Sequence, residues 1–168
     1  MRAAGKEAIS KISQNVETTI FQWQATGISV SPDVADGFED FKLQRGDYKG
    51  CSFVIYRVSD DKKSIIIDKK AGEGEDYDAF LECLPENNCR YAVIDVKFET
   101  ADERQISKLV FMSWSPDTAK VREKMIYAGS KEYLKSSFSG GIGIVLNATD
   151  HSDLDFETSV KPLVEKFA

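Results

Sequence analysis

The sequence is poor in the residues that build metal centres and active sites: its 168 residues include one histidine, His151, and three cysteines, Cys51, Cys83 and Cys89. With no Cys-x-x-Cys pair and no histidine near Cys83 or Cys89, neither a zinc site nor any other cofactor site is expected. The start of the chain lacks the continuous apolar core of about 7 to 15 residues that a secretory leader needs, and an odd cysteine count fits a reducing, intracellular setting. No stretch approaches the roughly 20 apolar residues of a membrane span. Excess positive charge is also lacking. The 28 acidic and 22 basic residues leave a net charge of −6, so the chain as a whole does not carry the field of a nucleic-acid binder. What it does have is 42% hydrophobic, 11% aromatic and 30% charged residues, which suits a single domain with one core.

Residues 1–24 read differently from the rest. Ala8, Ile9, Ile12, Val16 and Ile20 recur at helical spacing, so this stretch is expected to be an extension, flexible or partly helical, ahead of a domain over residues 25–168. Ser31-Pro32-Asp33 is a helix-start signature, and Val34, Phe38 and Phe41 then share a face, giving a helix near residues 32–43. Ser52–Val58 and Ser64–Ile67 flank a polar turn and form a hairpin. A short helix over Tyr77–Leu84 stops before Pro85. Arg90–Phe98 and Lys108–Trp114 are nearly continuous apolar strands, expected in the middle of a sheet covered on both faces. Ser115-Pro116-Asp117 repeats the first helix signature, with a break expected near Gly129 and Ser130 capping a second segment to Phe138. A final strand over Gly140–Leu146 and a C-terminal helix capped by Asp155, with Pro162 in its first turns or at a kink, complete the reading. The sum is an α/β chain of the α+β type: one mixed five-stranded sheet with helices on both faces.

Sites of chemistry are few. Gly140-Gly141-Ile142-Gly143 lacks the Lys-Ser/Thr of a phosphate loop and leads into a strand, so it reads as a turn. His151 and Ser152 share a polar loop, but a nucleophile needs an oriented base, and nothing in the pattern supplies one. Asp95 reads as a hydrogen-bonded strand acid.

The strongest local signal is electrostatic. From Arg104 to Phe138 there are seven cations, Arg104, Lys108, Lys120, Arg122, Lys124, Lys131 and Lys135, against Asp117, Glu123 and Glu132. That segment is +4 within a chain of −6, so the remainder carries −10. Such a basic patch on an acidic body is a recognition surface. Val121, Met125 and Ala128 form a narrow apolar stripe with Arg122 and Lys124 on either side of Met125. The pattern alone does not say whether this stripe is core with a solvated rim or an exposed contact for an acidic protein surface.

Several consecutive motifs, Leu84-Pro-Glu-Asn87, Cys89-Arg-Tyr-Ala92, Ser107-Lys-Leu-Val-Phe111, Trp114-Ser-Pro-Asp-Thr-Ala119 and Lys124-Met-Ile-Tyr-Ala128 with Ser130-Lys131, stand in an order that resembles the actin-depolymerising factor/cofilin family of the fungal type. The resemblance runs from about Thr26 to the C-terminus. It implies the homology fold of that family and a monomeric, non-enzymatic protein of the cytoplasm and actin cytoskeleton, and of the nucleus. Such a protein binds actin monomers and filament sides and promotes severing and depolymerisation. It also resolves the stripe in favour of contact. By resemblance, Arg122, Lys124 and Met125 meet actin together with the N-terminal segment Thr26, Gly27, Ile28, Ser29, Val30 and Ser31. The filament side is met by Arg104, Lys108, Glu165 and Lys166, and Lys120, Arg122, Lys124, Lys131 and Lys135 would meet a phosphoinositide headgroup. Thr26, preceding Gly27, matches the regulatory phosphorylation position, although the family's residue is a serine almost at the chain start. Two cations of the family pattern are missing, replaced by Ile106 and Ser136. The alternatives are a relative that binds filaments without severing them and, from another class, a small hydrolase using His151 and Ser152.

Overall fold

The computed structural model describes residues 27–167, so the expectations for residues 1–24 and for Thr26 lie outside the described residues. Six strands form one mixed sheet: β1 (Ser29–Val30), β2 (Phe53–Val58), β3 (Ser64–Lys70), β4 (Arg90–Glu99), β5 (Gln105–Trp114) and β6 (Ile144–Ala148), in the order β1-β3-β2-β4-β5-β6. The outer pairs, β1 with β3 and β5 with β6, are parallel and the inner pairs antiparallel. The strand beyond the expected five is β1, two residues on the sheet edge that are too short to show alternation in the sequence. The two apolar runs, β4 and β5, are central and pair over their full length from Arg90↔Trp114 to Glu99↔Gln105.

Strand alternation divides the core into two layers. On one face Tyr56, Tyr91 and Phe111 meet helices α1 (Pro32–Lys42) and α3 (Val121–Ser136). Phe138 joins the layer, its ring 4.4 Å from Phe38 and 5.7 Å from Tyr56, and Tyr127 stacks 4.9 Å from Tyr91. On the other face Phe53 packs 5.4 Å from Phe80 of helix α2 (Tyr77–Glu82), and Phe156, ahead of the last helix α4 (Lys161–Glu165), packs against Tyr77 and Phe98. Burying one large aromatic side chain contributes about 1.5–3 kcal/mol, so these clusters dominate the stability of both layers.

Three expectations need correction. The helix after Ser115-Pro116-Asp117 does not begin there: the Ser115 N–H bonds the Ala148 carbonyl at 2.9 Å and continues the sheet, residues 116–119 close a turn, and α3 starts at Val121. Nor does Gly129 break α3, which runs unbroken through Ser130. A glycine costs a helix interior about 1 kcal/mol, less than the packing gained by burying Tyr127 and Leu134 on either side. Ser130 therefore caps nothing; it is buried, and its hydroxyl donates to the Ile126 carbonyl at 2.8 Å. Finally, the last strand begins at Ile144, because Gly140 and Gly141, at φ +78° and +69°, hold the preceding turn. Asp155 does cap its segment, accepting from the Thr158 N–H at 2.8 Å, but that segment opens with a π-turn over Phe156–Val160. Pro162, lacking an N–H, sits within the first turn of α4.

Candidate functional site

Helix α3 carries two faces with different chemistry. Tyr127, Ser130 and Leu134 are buried against the sheet, whereas Val121 is 73% exposed and Met125 69% exposed, with Ala128 exposed one turn on. The apolar stripe therefore points to water, and the core reading of it fails. A large thioether and an isopropyl group in solvent, one turn apart and beside cations, form a small adhesive ridge suited to an apolar cleft. Arg122 is exposed and makes no ion pair among the described residues.

The ridge is held rigidly by contacts made around its own root. Lys124 donates to the Asp117 carbonyl at 2.9 Å, and the Glu123 carboxylate accepts from the Cys89 N–H at 2.7 Å. Thr118 donates to the Glu86 carbonyl at 2.7 Å, and the Trp114 indole N–H donates to the Pro85 carbonyl at 2.8 Å. The first bond ties α3 to the turn before it, and the other three tie that turn, the end of β5 and the first turn of α3 to the loop ahead of β4. Glu123 was not singled out in the sequence, and no local signal marks it, because its partner lies 34 residues away.

The segment before α1 reaches the same end of the molecule. Ser29 N–H and Oγ both donate to the Lys63 carbonyl, at 2.9 and 3.1 Å, and the Ser31 N–H donates to the Ile65 carbonyl at 3.0 Å. Ile28 is 3% exposed, while Gly27 and Ser29 are exposed. Val30 lies beside Ile65, Ile65 beside Val58, and the Val58 N–H donates to the Tyr127 hydroxyl of α3 at 2.9 Å. Two strand spacings of about 5 Å thus separate the N-terminal segment from the strand beneath α3. Ser31 precedes α1, but its hydroxyl bonds the Asp33 carboxylate and caps no backbone N–H.

The remaining cations are distributed. Lys131 bonds the Asn147 side chain at 3.1 Å, Lys135 pairs with Glu132 at 3.6 Å, and Lys120 is exposed at the start of α3. On the opposite sheet face, Lys108 is exposed across from Val96, and Arg104 pairs with Asp102 at 2.8 Å in the β4–β5 turn. Ile106 is half-buried opposite Phe98, and Phe98 stacks on Phe156 with Lys161 Nζ 5.7 Å over its ring. Phe98, Ile106 and Lys108 share a sheet face by alternation, so the C-terminal segment bearing exposed Glu165 and Lys166 packs on the same face as Lys108.

His151 and Ser152 do not form a nucleophile pair. The Ser152 hydroxyl is bonded to the Asp150 carboxylate, and the His151 ring lies 5.2 Å from Trp114. Asp95 accepts from Ser107 at 2.8 Å and pairs with Lys97 at 3.1 Å. Burial pushes the Cys51 and Cys89 thiols above their ordinary range, which keeps them protonated. Among the described residues no His, Cys, Asp or Glu cluster suits a metal ion, and no helix is long and apolar enough to cross a membrane.

The model of the cofilin/tropomyosin-type actin-binding protein family matches residues 27–163. The chain belongs to this family. It is 37% identical to a cofilin of Schizosaccharomyces pombe over 141 residues, covering 84% of this chain and 98% of that protein. Against a cofilin of Yarrowia lipolytica it is 42% identical over 134 residues, 79% of this chain and 84% of that one. The fold matches the crystal structure of Streptomyces griseoflavus cofilin with a TM-score of 0.72 at 30% identity, over 83% of this chain and 98% of that one. The α+β class and the helices on both faces agree with what the resemblance implied.

Proposed function

We propose that this chain binds actin monomers and filament sides and promotes filament severing and depolymerisation. The observation that carries the reading is the outward ridge of Val121 and Met125, flanked by Arg122 and Lys124, on a member of an actin-binding family. The ridge and the segment Thr26–Ser31 form the monomer site, with Met125 in an apolar cleft and the two cations on surrounding acids. Arg104, Lys108, Glu165 and Lys166 form a second, filament-side surface. The domain spans residues 25–168, with residues 1–24 as an extension. A phosphate group on Thr26 would add negative charge beside Gly27 and oppose docking.

No covalent step is involved. If the protein binds one twist of the filament more tightly than another, mass action drives subunits into the preferred twist and weakens their neighbouring contacts. A phosphoinositide headgroup would compete by neutralising Lys120, Arg122, Lys124, Lys131 and Lys135, so binding to anionic vesicles and to actin should be mutually exclusive. The protein works in the cytoplasm, on the actin cytoskeleton, and in the nucleus. Pelleting of preformed filaments with increasing protein tests the reading: actin should move from pellet to supernatant. Co-pelleting with no loss of filament mass would leave a filament binder that does not sever.

A further inference from the structure

The sheet has an open edge where β4 runs on past β2. Strand β4 is longer than its neighbour β2: their register begins at Phe53↔Ile94, and one further bond joins the Asp95 N–H to the Ser52 carbonyl at 2.9 Å. Beyond it the chain turns away at Gly50, whose φ is +77°. Backbone groups alternate in direction along a strand, so Lys97 and Glu99 aim their N–H and C=O toward the side that β2 has left. Among the described residues no backbone bond covers them there. Such an unpaired row is a template for another strand.

A cavity of about 520 Å³ opens along this edge. Its apolar lining includes Phe53, Ile94, Val96 and Phe156, and residues 74–78, the loop before α2 and its first two residues, form a wall. Three acidic residues of the wall, Glu75, Asp76 and Asp78, line it, while Asp95 and Lys97 at its rim pair with each other at 3.1 Å on the other sheet face. Glu75 is already partnered by Lys69 at 3.4 Å. Asp76 caps α2 through the Ala79 N–H, and Asp78 is exposed with no ion pair among the described residues, so within them the wall keeps uncompensated negative charge.

We infer that this groove docks an extended peptide segment of another protein, added as a strand along Lys97–Glu99, with an apolar side chain in the pocket and a cation beside Asp78. Backbone bonds would supply affinity, and the pocket and the acid would supply selectivity. The groove lies on the sheet face opposite α3, so its partner and a ligand on the Met125 ridge can be held together.

The test uses the full chain without actin and a fluorescein-labelled, acetylated pentapeptide, Lys-Val-Phe-Val-Lys, followed by anisotropy and amide exchange. Saturable binding below about 1 mM is expected, with new protection at the Lys97 and Glu99 amides. An N-methylated peptide should not bind, and Glu-Val-Phe-Val-Glu should bind at least about tenfold more weakly. Asp78→Lys should weaken the first peptide about tenfold with an unchanged melting temperature and unchanged actin pelleting. No binding, equal binding of the N-methylated peptide, or protection confined to α3 would overturn the proposal. Binding only to a chain starting at Ala25 would overturn the external partner, making residues 1–24 the occupant. Displacement of actin monomers by the peptide would overturn the separation from the Met125 ridge. Because binding is read without actin, its failure is distinct from failure of the actin reading.

Discussion

Helices α1 and α3 lie on the same sheet face, and a Ser-Pro-Asp run opens the first and stands a turn ahead of the second, yet they spend their apolar residues in opposite ways. Helix α1 turns Val34, Phe38 and Phe41 inward, each at most 1% exposed. Helix α3 meets the core through Tyr127, Ser130 and Leu134 and leaves Val121 and Met125 in water. Both stripes have helical spacing, so periodicity alone identifies a face without saying what covers it. An apolar stripe left outward on a helix that already has a buried face is available for a partner.

Breaking the inward side should be costly. Phe38→Ala removes a fully buried ring from the Phe38–Phe138 stack and should destabilise by about 3–5 kcal/mol in urea unfolding. Within α3 the two faces can be set against each other: Leu134→Ala should lose about 2–5 kcal/mol, whereas Met125→Ala should change stability by less than about 0.5 kcal/mol yet weaken actin binding at least tenfold. Equal destabilisation by both would show that Met125 is covered after all.

The helix starts sharpen the comparison on a smaller scale. Replacing a capping serine ordinarily costs about 0.5–2 kcal/mol, but the Ser31 and Ser115 hydroxyls cap no helix N–H, so Ser31→Ala and Ser115→Ala should each cost about 0.5 kcal/mol or less in thermal unfolding. Asp155 is the contrasting case, since its carboxylate does cap. The Thr158 backbone N–H and then the Thr158 hydroxyl hold its pKa below the ordinary 3.8. A depressed carboxyl stabilises the fold above its unfolded pKa and loses that contribution as pH falls through the lower folded value. Faster exchange of the Thr158 amide should therefore appear only below about pH 3.8, and not in Asp155→Asn.

Much of the fold was legible in the sequence because its signals are local. The hairpin, the two central strands and the inward stripe of α1 follow from alternation, turn residues and helical spacing. What was misread depends on distant contacts. Ser115 was drawn into the sheet by Ala148, and Gly129 was tolerated because Tyr127 and Leu134 pack on either side of it. The two-residue strand β1 exists only because β3 offers it an edge. For the site, the cations and Met125 were visible as a pattern, but their exposure was not. Glu123, which fixes the root of the ridge, was invisible because its partner Cys89 belongs to another element.

The central claim is that the outward face of α3 is a contact surface and makes little contribution to the fold. Its most direct test is the affinity of the Arg122→Ala/Lys124→Ala double variant for actin monomers, read beside its melting temperature. Exposed Arg122 contributes about 1 kcal/mol or less, and half-buried Lys124, through its bond to the Asp117 carbonyl, about as much again, so the melting temperature should fall by only a few degrees while monomer binding is lost. A variant that unfolds early, or one that folds and binds actin as tightly as the parent, would contradict the account.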